Sequence, residues 1–214
     1  MTDFERLRLG MVDGQIRTAD VTDHRVLAAF LSVPRESFVP DARRDLAYLD
    51  ARVPLGPIGR AMLEPMTLAK LIQLADVQPG ERALVVGCGY GYAAAILAEL
   101  GAAVTALEQD PELTVEALAR LSGRATVVEG PLVDGAPAEA PFDLIFCDGA
   151  IVTGLERLAA QLAPHGRMVA PAGEGRPQRA TVFRRNGEAL AATTFFDVSA
   201  PVLPGFAPAE VFAF

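Results

Sequence analysis

Residues 82–108 read RALVVGCGYGYAAAILAELGAAVTALE. A short apolar run, rich in valine, ends at a loop with glycine at every second position, Gly87, Gly89 and Gly91. An alanine- and leucine-rich helical pattern follows, and a second apolar run then ends in the acid Glu108. Strand, glycine loop, helix, strand and terminal acid form one βαβ unit of a nucleotide-binding sheet.

The spacing within this unit indicates which nucleotide it binds. Glycine accepts positive φ angles and lets backbone N–H groups approach a ligand closely. Glu108 follows the first glycine by about 20 residues, where a carboxylate accepts hydrogen bonds from ribose hydroxyls. That position favours binding over the alternative, a tight turn without a ligand. Tyr92 replaces the third glycine of a dinucleotide-binding G-x-G-x-x-G loop, and G-x-G-x-G is typical of S-adenosylmethionine methyltransferases.

Composition limits the class of protein. The chain has 214 residues, 51% of them hydrophobic, which predicts a single domain with a helical and loop extension at 1–78 and a cofactor-binding sheet at 79–214. A net charge of -8 argues against nucleic-acid binding. Two cysteines at predicted strand ends indicate reduced thiols in the cytoplasm. We expect neither a signal peptide nor a membrane span.

The pattern outside the central unit predicts an α/β fold with a mostly parallel sheet and helices on both faces. A helix is predicted at 4–18, and Thr22 is predicted to cap a second one. Residues 53–65 hold three prolines and two glycines, which predicts a loop. The other predicted helices lie at 40–46, 66–74, 111–121 and 155–162, and the other predicted strands lie at 126–129, 143–147 and 167–170.

The C-terminal part has a different character. Runs at 180–184 and 190–198 flank an Asn-Gly pair, which predicts an antiparallel β-hairpin that closes the sheet. Residues 210–214 are a candidate for a final short strand.

The chain resembles the protein-L-isoaspartate O-methyltransferase family over nearly its whole length. The matching pieces are QIRTADVTDHRVLAAFLSVPRESFV (15–39), VQPGERALVVGCGYGYAAAILAEL (77–100) and LAPHGRMVAPAG (162–173). The run at 23–39 is specific, because ordinary methyltransferases lack it. The resemblance implies a Rossmann-like methyltransferase sheet with an N-terminal helical extension and a rearranged C-terminal end. It also implies methyl transfer from S-adenosylmethionine to L-isoaspartyl carboxylates, a step in protein repair.

The resemblance assigns the cofactor contacts residue by residue. It implies that the glycine loop surrounds the methionine and ribose parts of the cofactor. Glu108 then accepts hydrogen bonds from the ribose hydroxyls, and Gln109 lies beside the adenine. Two positions depart from the family: Val85 replaces an acid in the first strand, and Pro131 replaces an aspartate that faces adenine. The implied cofactor-binding residues are Gly87, Cys88, Gly89, Gly91, Glu108, Gln109, Gly130, Pro131 and Leu132.

Three residues are candidates for the reacting end of the site. Leu63 takes the position of the family's serine, in a loop (61–65, AMLEP) that replaces Thr-Ile-Ser-Gln-Pro. Arg60 is either a bidentate clamp for a substrate carboxylate or a solvated loop arginine. Asp148 is a contact for the cofactor amine, a general base or a solvated acid at a strand end. No metal is expected, because residues 171–174 lack the further oxygen ligands that magnesium needs.

Two functions remain open at this level. The first is an S-adenosylmethionine-dependent O-methyltransferase that methylates a carboxylate, isoaspartyl or another, on a protein, a peptide or a small molecule. The second is a catalytically silent binding or scaffold protein of the same fold. Leu63, Val85 and Pro131 favour the second, whereas the intact glycine loop and Glu108 favour the first. The sequence predicts no membrane or nucleic-acid partner and leaves the oligomeric state open.

Overall fold

The computed structural model describes residues 3–56, 59–174, 177–187 and 189–208. The strands are Val53–Pro54 (β1), Ala61–Met62 (β2), Arg82–Val86 (β3), Ala103–Glu108 (β4), Thr126–Glu129 (β5), Phe142–Cys147 (β6), Leu162–Ala172 (β7), Gln178–Asn186 (β8) and Ala189–Val198 (β9). The last seven form one sheet in the order β5-β4-β3-β6-β7-β8-β9, parallel from β5 to β7 and antiparallel from β7 to β9. This confirms the predicted sheet and its closing hairpin.

In the described part of the chain, three α-helices precede β3, the first strand of the seven-stranded sheet, and three more connect its strands. A π turn and a 3-10 turn prolong α1 to Ala19, so the helix predicted at 4–18 is confirmed. Among the helices that the structure describes, none is long and apolar enough to cross a membrane. The α-helices are Asp3–Met11 (α1), His24–Ser32 (α2), Pro65–Ala75 (α3), Tyr92–Glu99 (α4), Pro111–Leu121 (α5) and Glu156–Ala159 (α6).

The central strands β3 and β6 are apolar almost throughout because both of their faces are covered. Their register sets the position of the site: Val86 lies opposite Leu107 of β4 on one side and opposite Cys147 of β6 on the other. The residues that follow these strands therefore meet at one edge of the sheet. In open α/β sheets this carboxyl-end edge is where ligands bind.

The predicted cap of α2 is wrong by one residue. Asp23, not Thr22, is the N-cap, and its carboxylate accepts hydrogen bonds from the amides of Arg25 at 2.7 Å and Val26 at 3.4 Å. The amide of Thr22 instead donates to the side-chain oxygen of Gln73 at 2.7 Å. The amide of Asp23 donates to the same oxygen at 3.0 Å, so Gln73 of α3 holds the backbone of both residues just before the helix. Both residue types cap helices, and the carboxylate of Asp23 is the one that accepts from the first helical amides.

The helix predicted at 155–162 is shorter than expected. It ends at Ala159, and Leu162 already begins β7. Pro164 has no N–H to donate and disfavours helical angles at Ala163, so the helix stops before this pair.

The proline-rich segment 53–65, predicted as a loop, also contains two short strands. Val53 pairs with Met62 and Pro54 with Ala61, which makes β1 and β2 a short antiparallel ladder. The amide of Leu55 donates to the carbonyl of Arg60 at 2.9 Å and so narrows the turn. The ladder fixes the approach of Arg60 to the sheet edge. The strand considered at 210–214 lies outside the described residues.

Candidate functional site

The glycine loop follows β3 directly and starts α4. Gly87, Gly89 and Gly91 have φ angles of 73°, 57° and 95°, a region that L residues with side chains rarely adopt. The amides of Gly87 and Cys88 donate to the carbonyl of Leu107 at 2.9 and 3.0 Å, which binds the loop to β4. Alternate glycines are needed here because the backbone turns sharply between two buried elements.

Glu108, the last residue of β4, is fully buried beside this loop. Its Oε2 accepts a hydrogen bond from the amide of Gly89 at 2.8 Å. Its Oε1 accepts from the amides of Gln109 at 2.9 Å and Asp110 at 3.3 Å. The structure thus places the predicted ribose acceptor in contact with the glycine loop.

Arg60 binds Glu108 in the structure. Its Nη1 lies 2.8 Å from Oε1 of Glu108, and its Nη2 lies 3.0 Å from Oε2. The same Nη2 donates to the carbonyl of Gly87 at 2.8 Å. With an exposed fraction of 5%, Arg60 is not a solvated loop arginine, and its guanidinium is engaged by an internal carboxylate rather than free for a substrate. Both predicted roles of Arg60 are therefore absent from this conformation.

Two leucines lie against the glycine loop. A Cβ built on Gly87 would lie 2.7 Å from Cδ2 of Leu203, and one built on Gly89 would lie 2.5 Å from Cδ1 of Leu55. Leu203 also contacts the loop after β6, where a Cβ on Gly149 would lie 2.6 Å from it. Sequence reasoning missed Leu203, because only the fold brings this residue to the glycine loop.

Asp148 follows β6 at the same edge, and its amide donates to the carbonyl of Val86 at 3.0 Å. Only 7% of the residue is exposed, and its Oδ1 has no hydrogen-bond partner within the described part of the chain. Burial raises the pKa of Asp148 to about 7; Arg60 and Arg35 oppose this rise, and Glu108 adds to it. Asp148 is therefore a buried acceptor and not the solvated acid of the third alternative.

Cys88 lies within the loop and is buried. Burial, with the negative charge of Glu108, raises the pKa of the Cys88 thiol far above its ordinary value. Burial likewise raises the pKa of Cys147 to about 12. Both thiols are protonated at neutral pH, so neither is a nucleophile.

The predicted adenine edge is brought together by the ends of β4 and β5. The amide of Gly130 donates to the carbonyl of Glu108 at 2.9 Å, and the amide of Leu132 donates to Oε1 of Gln109 at 3.4 Å. Leu132 is buried, whereas Pro131 is exposed. The structure places these residues next to Glu108, and their contact with adenine stays a prediction.

The side chain of Leu63 does not lie where it could take the part of the family's serine. Its side chain is fully buried in the main hydrophobic cluster, and its carbonyl accepts a hydrogen bond from Nη2 of Arg35 at 2.7 Å. Arg35, itself fully buried, also donates to the carbonyl of Ala47 at 2.7 Å and lies 5.1 Å from the ring centre of Tyr92. Arg35 thereby holds the backbone of this loop from beneath, which gives a physical role to the VPRE part of the family-specific run.

We expect Leu63→Ser to lose about 3 kcal/mol of unfolding free energy, because it leaves a cavity and buries a hydroxyl in an apolar cluster. Urea unfolding measures the loss, and Ala61→Ser, at a half-buried position two residues earlier, is the control. A Leu63→Ser protein as stable as wild type would show that this side chain lies outside the core.

Histidine, cysteine, aspartate and glutamate side chains are the usual protein ligands of metal ions. Within the ranges that the structure describes, no group of three or more of these side chains is placed to hold an ion.

Known proteins resemble this chain in sequence and in fold. The model of the family described as protein-L-isoaspartate(D-aspartate) O-methyltransferase matches residues 9–199. A protein-L-isoaspartate O-methyltransferase of Methylorubrum extorquens is 38% identical over 97% of this chain and 93% of its own length. One of Koribacter versatilis is 34% identical over 98% of this chain and 97% of its own length.

A solved structure gives the same fold. It is a methyltransferase of Plasmodium falciparum from this class, in complex with S-adenosyl-L-homocysteine. Its TM-score is 0.77 at 20% identity, and the match covers 95% of this chain and 99% of that one.

Proposed function

The chain belongs to the protein-L-isoaspartate O-methyltransferase family, and we propose that it transfers the methyl group of S-adenosylmethionine to a carboxylate of a protein or peptide, an isoaspartyl residue in the first instance. The observation that carries this proposal is the position of Glu108, a fully buried carboxylate in contact with the glycine loop at the carboxyl edge of the sheet. The relatives at 34–38% identity bear the same enzyme name.

The residues present suit the cofactor chemically. A carboxylate acceptor suits a ribose diol, and loop amides at a helix start suit a carboxylate such as that of the methionine part. Glu108 would hold the ribose, and Gln109 with residues 130–132 would border the adenine. The sulfonium of S-adenosylmethionine supplies an activated methyl group, so the chain's main task is to hold the acceptor in line with it.

Asp148 suits the ammonium of the cofactor better than it suits a general base. A substrate carboxylate has already lost its proton at neutral pH, so no base is needed to activate it. The unpartnered Oδ1 of Asp148 is a buried acceptor, and a buried acceptor without a donor is costly. An ammonium placed there supplies both the missing donor and the opposite charge.

We expect the chain to methylate an isoaspartyl peptide and to leave the matching aspartyl peptide unmodified. The mass of each peptide after incubation with S-adenosylmethionine measures the transfer. Methylation of neither peptide by a chain that binds the cofactor would reject the isoaspartyl substrate and leave another carboxylate.

A catalytically silent binding protein remains the second candidate, and one observation favours it. The pairing of Arg60 with Glu108 takes the acceptor that the cofactor needs. Calorimetry with S-adenosyl-L-homocysteine separates the two candidates, because a chain that gives no heat at high protein concentration is not the enzyme.

The remaining expectations are proposals of the same kind. We place the chain in the cytoplasm as one domain, on the ground of its two free, buried cysteines and the hydrophobic cluster that joins N-terminal helices to the sheet. A net charge of -8 supports a partner other than nucleic acid.

A further inference from the structure

The carboxylate of Glu108 has no capacity left for a diol while Arg60 is in place. Five N–H groups point at its two oxygens: two from the Arg60 guanidinium and one each from the amides of Gly89, Gln109 and Asp110. A carboxylate offers about four lone-pair positions. A ribose can therefore reach Glu108 only where Arg60 has left it.

Three of the five donors are backbone amides of the loop and of the β4 end, and these stay with the fold. The two guanidinium donors belong to a side chain on the turn between β1 and β2. A pair of ribose hydroxyls can replace those two donors one for one. The exchange leaves Glu108 satisfied, and it releases a guanidinium at the edge of the site.

The released guanidinium needs a new anionic partner, because an unpaired buried charge is strongly unfavourable. Asp148 is close enough to influence Arg60 electrostatically, but the proposed function gives that carboxylate to the cofactor ammonium. A substrate carboxylate is the partner that fits the proposed function, because a guanidinium binds a carboxylate in bidentate geometry.

A substrate carboxylate at this edge of the sheet needs a hydrogen-bond donor to hold it. The position that carries serine in the family is Leu63, whose side chain is fully buried in the core and has no polar atom to offer. Arg60 precedes it by three residues, on the other side of the short strand β2. The segment 60–65 therefore offers the guanidinium of Arg60 as a donor, although Leu63 gives it no hydroxyl at the position of the family's serine.

We propose that Arg60 is a positioning residue shared between two carboxylates: it binds Glu108 in the free chain and the substrate carboxylate once the cofactor diol has taken its place. The inference rests on the proposed function. It makes binding ordered, with the cofactor first. It also makes Arg60 a competitor of the cofactor and a ligand of the substrate.

The first experiment is calorimetric titration of S-adenosyl-L-homocysteine into the wild type and Arg60→Gln. We expect Arg60→Gln to bind at least tenfold more tightly, because no competitor has to be displaced. Arg167→Gln is the matched control: Arg167 is also a buried arginine paired with both oxygens of a glutamate, Glu81, at the opposite edge of the sheet. The affinity of Arg167→Gln for S-adenosyl-L-homocysteine should equal that of wild type.

The second experiment titrates an isoaspartyl peptide with and without saturating S-adenosyl-L-homocysteine. Wild type should bind the peptide at least tenfold more tightly with the nucleotide present, and Arg60→Gln should lose most of that gain. Arg60→Lys keeps the charge without the bidentate fork, so its gain should be intermediate, and it replaces Arg60→Gln if the latter fails to fold.

The outcomes separate this proposal from the proposed function. Equal or weaker nucleotide binding by Arg60→Gln overturns the competition, although the methyltransferase function then stands. Peptide binding that is independent of the nucleotide, or equal in Arg60→Gln, overturns the substrate role. No nucleotide binding by either protein overturns the proposed function and the exchange together.

Discussion

Glu108→Ala is expected to lower the free energy of unfolding by about 3–5 kcal/mol and to abolish binding of S-adenosyl-L-homocysteine. The substitution removes the acceptor of three backbone amides and leaves the buried Arg60 guanidinium without its carboxylate. Urea unfolding and calorimetry measure the two effects.

The control is Glu81→Ala, which breaks the bidentate pair with Arg167 at the opposite edge of the sheet. It should cost stability and leave nucleotide binding unchanged. Combining Glu108→Ala with Arg60→Gln should cost less than the sum of the single changes, because the two residues share one interaction. Strict additivity would contradict the pairing seen in the structure.

Asp148→Asn is expected to stabilise the protein at pH 8, by an amount that disappears toward pH 4. Burial raises the pKa of Asp148 to about 7 in the folded chain, against about 3.9 in an unfolded one. Between these values the folded state binds more protons than the unfolded state, so the wild type loses stability as pH rises. A difference of about three pKa units corresponds to about 4 kcal/mol of unfolding free energy, which the wild type has lost above pH 7. An asparagine side chain does not ionise, so the variant should keep that free energy.

The same substitution should weaken nucleotide binding about tenfold or more, because it removes the negative charge that we assign to the ammonium and replaces one carboxylate oxygen with an NH2 group, which donates rather than accepts. Urea unfolding at pH 4.5 and pH 8 measures the stability difference, and calorimetry at pH 8 measures the affinity. Asp143→Asn, at the other end of the same strand, is the control and should gain no stability at pH 8. An equal stability difference at both pH values would contradict the assignment.

Much of the fold follows from local patterns in the sequence. Apolar strands, prolines at helix starts and an Asn-Gly turn have their effect within a few residues, and the structure confirms the predicted strands that fall within the residues it describes. The errors lie where a local pattern allows two outcomes. Thr22 and Asp23 are both good caps; the amides of both donate to Gln73 of α3, and it is the carboxylate of Asp23 that accepts from the first helical amides.

The candidate site is predictable to a different degree at each residue. Glu108 and the glycine loop meet because parallel strands bring their carboxyl ends to one edge, which sequence spacing encodes. Arg60 and Asp148 lie at that edge too, but the surroundings of their side chains, and of the Leu63 side chain, were not predictable. Arg60 pairs with a residue 48 positions later, Leu63 turns into the core, and Asp148 is buried rather than solvated.

The sequence by itself determined the sheet, the nucleotide loop and the family, since each depends on short-range periodicity or on a contiguous run of residues. Only the tertiary structure decided that Glu108, the proposed ribose acceptor, is already paired. The βαβ unit and the two residues after it supply the three backbone amides that donate to the Glu108 carboxylate. The other two donors belong to the guanidinium of Arg60, which the β1–β2 ladder brings to Glu108. Electrostatic pairing in a buried site is a long-range property of the fold, because it depends on which distant side chains the packing brings within hydrogen-bond distance.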